Sequence, residues 1–131
     1  MKRILKPILC VLAIIIIFIS AGIVFITRGL ESGSKVVVGN LNLESINDGT
    51  YKGKYEGGRW SNEIIITVKD HKITDVKVVK DVLFKKSEVT EAIINKVIQE
   101  QKINVPVVSG ATVTSKAYLK AIENSLKENL K

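Results

Sequence analysis

The chain has 131 residues, room for one domain and an appendage. It carries 20 Lys and Arg against 13 Asp and Glu, a formal net charge of +7, but Lys2, Arg3, Lys6 and Arg28 flank a single apolar run; without those four the balance is 16 against 13, a net +3. That mildly basic remainder has no basic cluster and no interleaved aromatics, which argues against a nucleic-acid surface. The only cysteine, Cys10, lies inside the apolar run and the only histidine is His71, so an intramolecular disulfide is excluded, and with it most metal and Cys-nucleophile chemistry, a zinc cluster needing several His or Cys ligands.

Residues 8–27 contain no charge and are dominated by Ile, Leu and Val. Twenty helical residues extend about 30 Å, the thickness of a bilayer's hydrocarbon core, so the run predicts a membrane span or uncleaved signal anchor. A cleaved signal segment is the alternative, since Ser20-Ala21-Gly22 supplies small residues, but the apolar run continues past them. Lys2, Arg3 and Lys6 precede the span while Glu31 offsets Arg28 beyond it. The positive-inside rule therefore keeps the N-terminus cytoplasmic and sends the rest outward, as a single-pass protein of the cell membrane. Residues 29–47 show little periodicity and read as a tether, with Val36-Val37-Val38 as a possible short strand.

Asp48-Gly49 signals a turn, after which Tyr51, Gly53 and Tyr55 alternate with Lys52, Lys54 and Glu56 along one strand. Gly57-Gly58-Arg59-Trp60 breaks it; Trp60, the sole tryptophan, is expected to pack against the sheet, with a cofactor ring as its alternative neighbour. Ile64, Ile66 and Val68 form one apolar face of a second strand. In a third, Thr74, Val76 and Val78 oppose Asp75 and Lys77. Asp70-His71 between them predicts a two-residue hairpin turn, because His is among the side chains that tolerate positive φ.

Ser87 is placed to cap a helix running to about Gln101, with Val89, Ile93 and Val97 on its stripe. Asn104-Val105-Pro106 ends it, and Val105, Val107 and Val108 predict a short strand. From Ser115 onward Tyr118, Ile122, Leu126 and Leu130 recur at helical spacing, opposed by Lys116, Lys120, Glu123 and Lys127. The expected fold is therefore α+β: a small antiparallel sheet packed by two helices, preceded by one N-terminal transmembrane helix, with the domain proper over residues 48–131 and the anchor over 1–28.

Between the last two elements lies Ser109-Gly110-Ala111-Thr112-Val113-Thr114-Ser115, four hydroxyls within seven residues beside a Gly and an Ala. Unpaired N–H groups at a helix start, small residues that let an anion approach and nearby hydroxyls together suit a phosphate. Ser and Thr before a helix also serve as plain caps, which is the competing reading.

Ser109-Gly110-Ala111-Thr112, with Thr114-Ser115 following, resembles the signature of the FMN-binding domain family. That family includes the flavin-carrying subunits of sodium-pumping NADH:quinone reductase and of the Rnf complex, and small membrane-tethered relatives. Asp48-Gly49-Thr50-Tyr51 with Gly53 and Tyr55 is similar to the family's opening strand, and Ile64 to Val79 to its central hairpin, so the resemblance covers roughly 48–130. It implies FMN as cofactor, with Ser109, Gly110, Ala111, Thr112 and Thr114 at its phosphate, and Thr112 as the residue that a flavin transferase would esterify. Members modified there usually carry an acidic residue three positions before the Ser or Thr; here that position is Pro106.

A flavin accepts one or two electrons itself, so a protein that carries it need supply only binding, placement and tuning. This suits a chain with no general acid/base pair and no Ser-His-Asp set, and no catalytic or metal-ligating residue is assigned. The expected function is electron transfer outside the cytoplasm, with a membrane quinone or redox complex as donor. A flavin-dependent reductase or redox sensor with non-covalent FMN, and a flavin-free tethered interaction module, are the alternatives.

Overall fold

The computed structural model describes residues 1–130. A helix α1 (Lys2–Thr27) is followed by a short α2 (Leu30–Ser34), a 3-10 turn at Leu43–Ser45, strand β1 (Gly49–Tyr55), a second 3-10 turn at Gly58–Trp60, β2 (Asn62–Lys69), β3 (Lys72–Lys80), α3 (Ser87–Glu100) and α4 (Thr112–Lys127). The α+β class follows directly: a three-stranded antiparallel meander in the order β1-β2-β3, packed by two main helices and preceded by one long apolar helix.

The 26 residues of α1 extend about 39 Å, and its central window is wholly exposed within the chain, so the helix is long and apolar enough to cross a bilayer. No charge interrupts it between Ile8 and Thr27.

In the sheet, Ile64, Ile66 and Val68 of β2 point inward and are buried, as their alternation with Ile65, Thr67 and Lys69 requires. Asp70 and His71 close the β2–β3 hairpin with φ of 51° and 58°, the double positive φ of a type I′ turn. His71 also ties the turn down: its backbone N–H donates to Asp48 Oδ1 at 3.3 Å, and its Nδ1 lies 2.8 Å from the carbonyl of Ile46. In β3 the simple alternation fails. Val68 pairs with Ile73 and Thr67 with Asp75, so Thr74 is an extra residue, a bulge that faces outward and donates its hydroxyl to Thr67 O at 3.2 Å. Ile73 and Val76 consequently both face the core, and Thr74 does not join Val76 as the strict period of two predicts.

Helix α4 lies across β1 and β2, and α3 packs beside it against β3. The approach to β1 is closest at Gly53, where a Cβ would stand 2.3 Å from the Ala121 carbonyl oxygen and 2.6 Å from the Ser125 nitrogen; only a residue without a side chain fits there. Tyr118, Ile122 and Leu126 bury their stripe as expected, whereas Leu130 lies beyond the helix end and is exposed.

Two sequence expectations about the helices are corrected, one at the start of α3 and one on the face of α4. Ser87 is the first helical residue of α3, and the cap position is Lys86; Gln101 ends the helix with φ of 50°, its amide bridging to Ile73 and Ile98. Glu123, expected on the solvent face of α4, is fully buried. It is ion-paired to Lys120 at 2.8 Å and to Lys127, under a lid formed by Gly39. Burial alone would raise its pKa, but the two ammonium groups and the Gly39 amide outweigh that and hold it below the ordinary carboxylate value.

Residues 29–47, expected to act as a loose tether, lie against the domain. Leu43 and Ile46 enter the core, Val38 and Leu41 pack on it, and Lys116 and Lys120 of α4 donate to the carbonyls of Ser34 at 2.6 Å and Val37 at 3.2 Å. Neither Val36–Val38 nor Val105–Val108 forms a strand. Val105 instead serves as a buried peg, and Val108 is held by its N–H on Ser115 Oγ at 3.1 Å.

Candidate functional site: a cleft at the N-terminus of helix α4

The chain reaches α4 through a tight turn. Gly110 takes a φ of 77°, in the left-handed region that favours glycine, and Ala111 occupies the cap position with no side-chain hydrogen bond to offer. The helix begins at Thr112, three residues before Ser115, because Thr112-Val113-Thr114 themselves form its first turn. The first intrahelical bond runs from Ser115 N–H to Ala111 O at 2.9 Å, leaving the amides of Thr112, Val113 and Thr114 without helical acceptors.

That geometry bears on the two readings of the hydroxyl-rich motif. Among the described residues, neither Thr112 nor Thr114 uses its hydroxyl on the helix end, and no side chain caps α4. Ser115 is different: buried, with its Oγ accepting from Val108 N–H, it fastens the loop rather than facing a ligand. Gly110 has no heavy atom within 4 Å of where a Cβ would stand, so the backbone is bare on that side.

Opposite this loop stands a second wall. The 3-10 turn brings Arg59 and Trp60, the β3–α3 connection brings Val82, Phe84 and Lys86, and together with Gly110–Thr114 they enclose a cleft of about 480 Å³. That size falls in the range of small-molecule and cofactor sites. Gly110, Ala111, Thr112 and Thr114 line the cleft; Ser109 is exposed and is not on its wall. Trp60 is buried in the core, with the Arg59 guanidinium 4.0 Å above its ring centroid and 5.5 Å from that of Phe84. Packing is thus the dominant role of Trp60, and its outer face is already covered by a cation. Arg59 Nε is buried and has no hydrogen-bond partner among the described residues. A buried donor left open in this way is costly unless a ligand supplies the acceptor.

Behind the cleft, a polar cluster sets the position of the β3–α3 connection. The Tyr118 hydroxyl donates to Asp81 and accepts from Thr90 Oγ1 at 3.2 Å, while Asp81 Oδ1 also accepts from Val82 N–H at 2.9 Å. Burial and the adjacent Asp81 carboxylate push the Tyr118 phenol up to about 12, so it stays a neutral donor throughout the physiological range. Leu83 N–H donates to Arg59 O at 2.8 Å, which joins the connection to the 3-10 turn.

The donor set suits an anion attached to a flat, partly apolar body. Three open amides at the positive end of a helix, a bare glycine and the Arg59 and Lys86 cations answer a phosphate; Phe84, Val82 and Val89 offer a surface for a ring. Arg59, Phe84 and Lys86 are among the wall residues the sequence left unassigned, with Leu30 and Val82. They sit in connections without periodicity, and the one available signal was the Gly57-Gly58-Arg59-Trp60 break itself.

No curated protein matches the chain significantly. The model of the FMN-binding domain family matches residues 58–127, which takes in Arg59, the β3–α3 connection and the whole hydroxyl-rich loop but not β1, where the resemblance also placed the family's opening strand. With more than half of its length matched, and with a phosphate-ready helix start facing a cationic and aromatic wall, the chain belongs to the FMN-binding domain family, and FMN is its cofactor.

Proposed function

We propose that this FMN-binding protein is anchored in the membrane by α1, carries its folded domain outside the cytoplasm, and relays electrons from a membrane quinone or redox complex to an outer acceptor. The proposal divides the chain into an anchor over residues 1–28, a connecting segment over 29–47 and an FMN-binding domain over 48–131. The observation that carries the reading is the α4 start. Among the described residues the amides of Thr112, Val113 and Thr114 and the Thr112 and Thr114 hydroxyls have no hydrogen-bond partner, and these residues lie on the same cleft as Arg59.

In this reading Gly110, Ala111, Thr112 and Thr114 hold the phosphate and Ser109 forms the rim of the loop. Thr112 is exposed and on the cleft wall, which suits an ester between its Oγ and the FMN phosphate, formed by a flavin transferase with net loss of water. Pro106, exposed where modified members carry an acid, donates nothing to the cleft; its carbonyl instead accepts from Lys96 at 3.5 Å. When bound, the flavin supplies the electron chemistry. The chain's own residues bind it, orient it and set the charge around it: Arg59 and Lys86 add positive potential, and the buried face of Val82 and Val89 excludes water from one side of the cleft.

The test is intact mass after co-expression of the full chain with a flavin transferase. The expected result is an increase of one FMN less water, lost in Thr112→Val. An unmodified chain that is nonetheless yellow would leave FMN bound reversibly and would overturn the ester; persistence of the increase in Thr112→Val would move the attachment elsewhere.

A further inference from the structure

The β3–α3 connection has a second face. Leu83 and Phe84 are 58% and 59% exposed, a tandem of large apolar side chains directed outward. They are not there for want of anchorage. Val82, immediately before them, is buried in the core, Leu83 N–H is bonded to Arg59 O, and Asp81 is fixed by Tyr118.

The same face meets the end of the apolar helix. Phe25 of α1 and Arg28 just past its end line, with Gly58 and Leu83, a second cavity of about 470 Å³. The contact is close, since a Cβ at Gly58 would stand 2.5 Å from the Arg28 carbonyl oxygen. Phe25 is 60% exposed, so the apolar surface of α1 runs on into Leu83 and Phe84. Around this patch stand Arg28, Lys80, Lys85 and Lys86; Asp81 among them is half-buried and already engaged by Tyr118, Val82 N–H and Lys85 at 3.9 Å, and Glu63 and Glu56 near Lys80 are paired with Lys52 at 3.3 Å and Lys54 at 2.9 Å.

The geometry points to a lipid-seating element: the 82–86 loop inserts Leu83 and Phe84 at the boundary between headgroups and acyl chains of the outer leaflet, while its basic residues engage anionic phospholipid headgroups. An exposed apolar pair ringed by cations and continuous with a membrane-length helix is the arrangement that binds such an interface. The inference rests on α1 spanning the bilayer. Because Phe84 and Lys86 also line the FMN cleft, its mouth opens at the lipid surface, where a membrane-dissolved electron partner can reach it without leaving the bilayer.

The experiment uses the full chain in nanodiscs of phosphatidylcholine, with and without phosphatidylglycerol. A nitroxide is attached at the native Cys10, or, in a Cys10→Ser background, at Leu83→Cys, Phe84→Cys or Lys72→Cys, and its accessibility to oxygen and to a water-soluble nickel chelate is compared. Lys72 sits at the hairpin end of the sheet, opposite the end that meets α1. The labels at 83 and 84 are expected to favour oxygen severalfold over the label at 72, and more so with phosphatidylglycerol. The added immersion should disappear in Lys80→Gln/Lys85→Gln. A lipid-immersed Cys10 with 83 and 84 as aqueous as 72 overturns this inference alone; an aqueous Cys10 overturns the span and this inference with it. Immersion indifferent to phosphatidylglycerol overturns the anionic-headgroup part.

Discussion

The two ends of α4 are built on opposite rules. Its C-terminal half is closed: Glu123 is buried between two lysines, Ser125 is buried with its hydroxyl on Ile122 O at 2.7 Å, and Gly53 of β1 admits the helix backbone with no space to spare. Its N-terminal end is open, with three unaccepted amides, two idle threonine hydroxyls and a glycine facing empty space. From Ser115 onward the helix is largely buried and supplies stability, whereas its first turn lines the candidate site, so changes at the two ends should separate folding from flavin binding. Within the protein the two glycines state the contrast most directly, since one is glycine because of a neighbour and the other because of its own φ.

The sharpest way to break that contrast is Gly53→Ala. A methyl group 2.3 Å from the Ala121 oxygen must push α4 off the sheet, at a cost of about 3 kcal/mol or more. Thermal unfolding of the full chain in detergent, followed by circular dichroism, should show the domain transition lowered or lost; an unchanged transition would mean that α4 does not pack there. Next is Glu123→Gln, worth about 1–2 kcal/mol because the partner lysines keep access to water once freed. Its pH signature is more telling than its size. The folded pKa of Glu123 lies below the ordinary value of 4.5, so its contribution is present above about that pH and fades as the pH falls through the lowered folded value. Wild-type unfolding should therefore show an acid-dependent loss that Glu123→Gln lacks.

At the open end the effects on stability should be smaller. Gly110→Ala meets no neighbour but forces a side chain into a φ of 77°, costing about 1 kcal/mol, and it places a methyl group where the phosphate is expected, so flavin retention should fall more than the melting temperature does. Thr112→Val should leave the apoprotein's melting temperature within the range of about 0.5 kcal/mol typical of surface changes while abolishing the FMN mass increase. A large loss of stability in Thr112→Val would show that its hydroxyl is structural after all and would close the distinction between the two ends.

The sequence made the sheet legible because β1 and β2 follow the period of two and the Asp70-His71 turn is chemically marked. It singled out the loop before α4 because small and hydroxylated residues in front of an amphipathic run suit either an anion or a helix cap, and the cap role is one that the Thr112 and Thr114 hydroxyls do not take up among the described residues. What it hid has identifiable causes. Thr74 breaks alternation through a bulge, which depends on the partner strand rather than on β3 itself. Glu123 looked like a surface charge because its two lysines lie on the same helix, and nothing local announces that Val37 and Gly39 fold over all three. Arg59, Phe84 and Lys86 come from connections that only the tertiary fold brings to the α4 loop, and no spacing rule links positions so far apart in the chain.

The stretch between the long helix and the first strand has a practical consequence for anyone cutting the gene. Its low periodicity invites truncation just before Asp48 to obtain a soluble fragment. Such a fragment would lose Leu43 and Ile46 from the interior, the carbonyl that His71 leans on, and the backbone roof over Lys116, Lys120 and Glu123. A product started at residue 48 would be an unroofed house; one started near Leu30 keeps its ceiling.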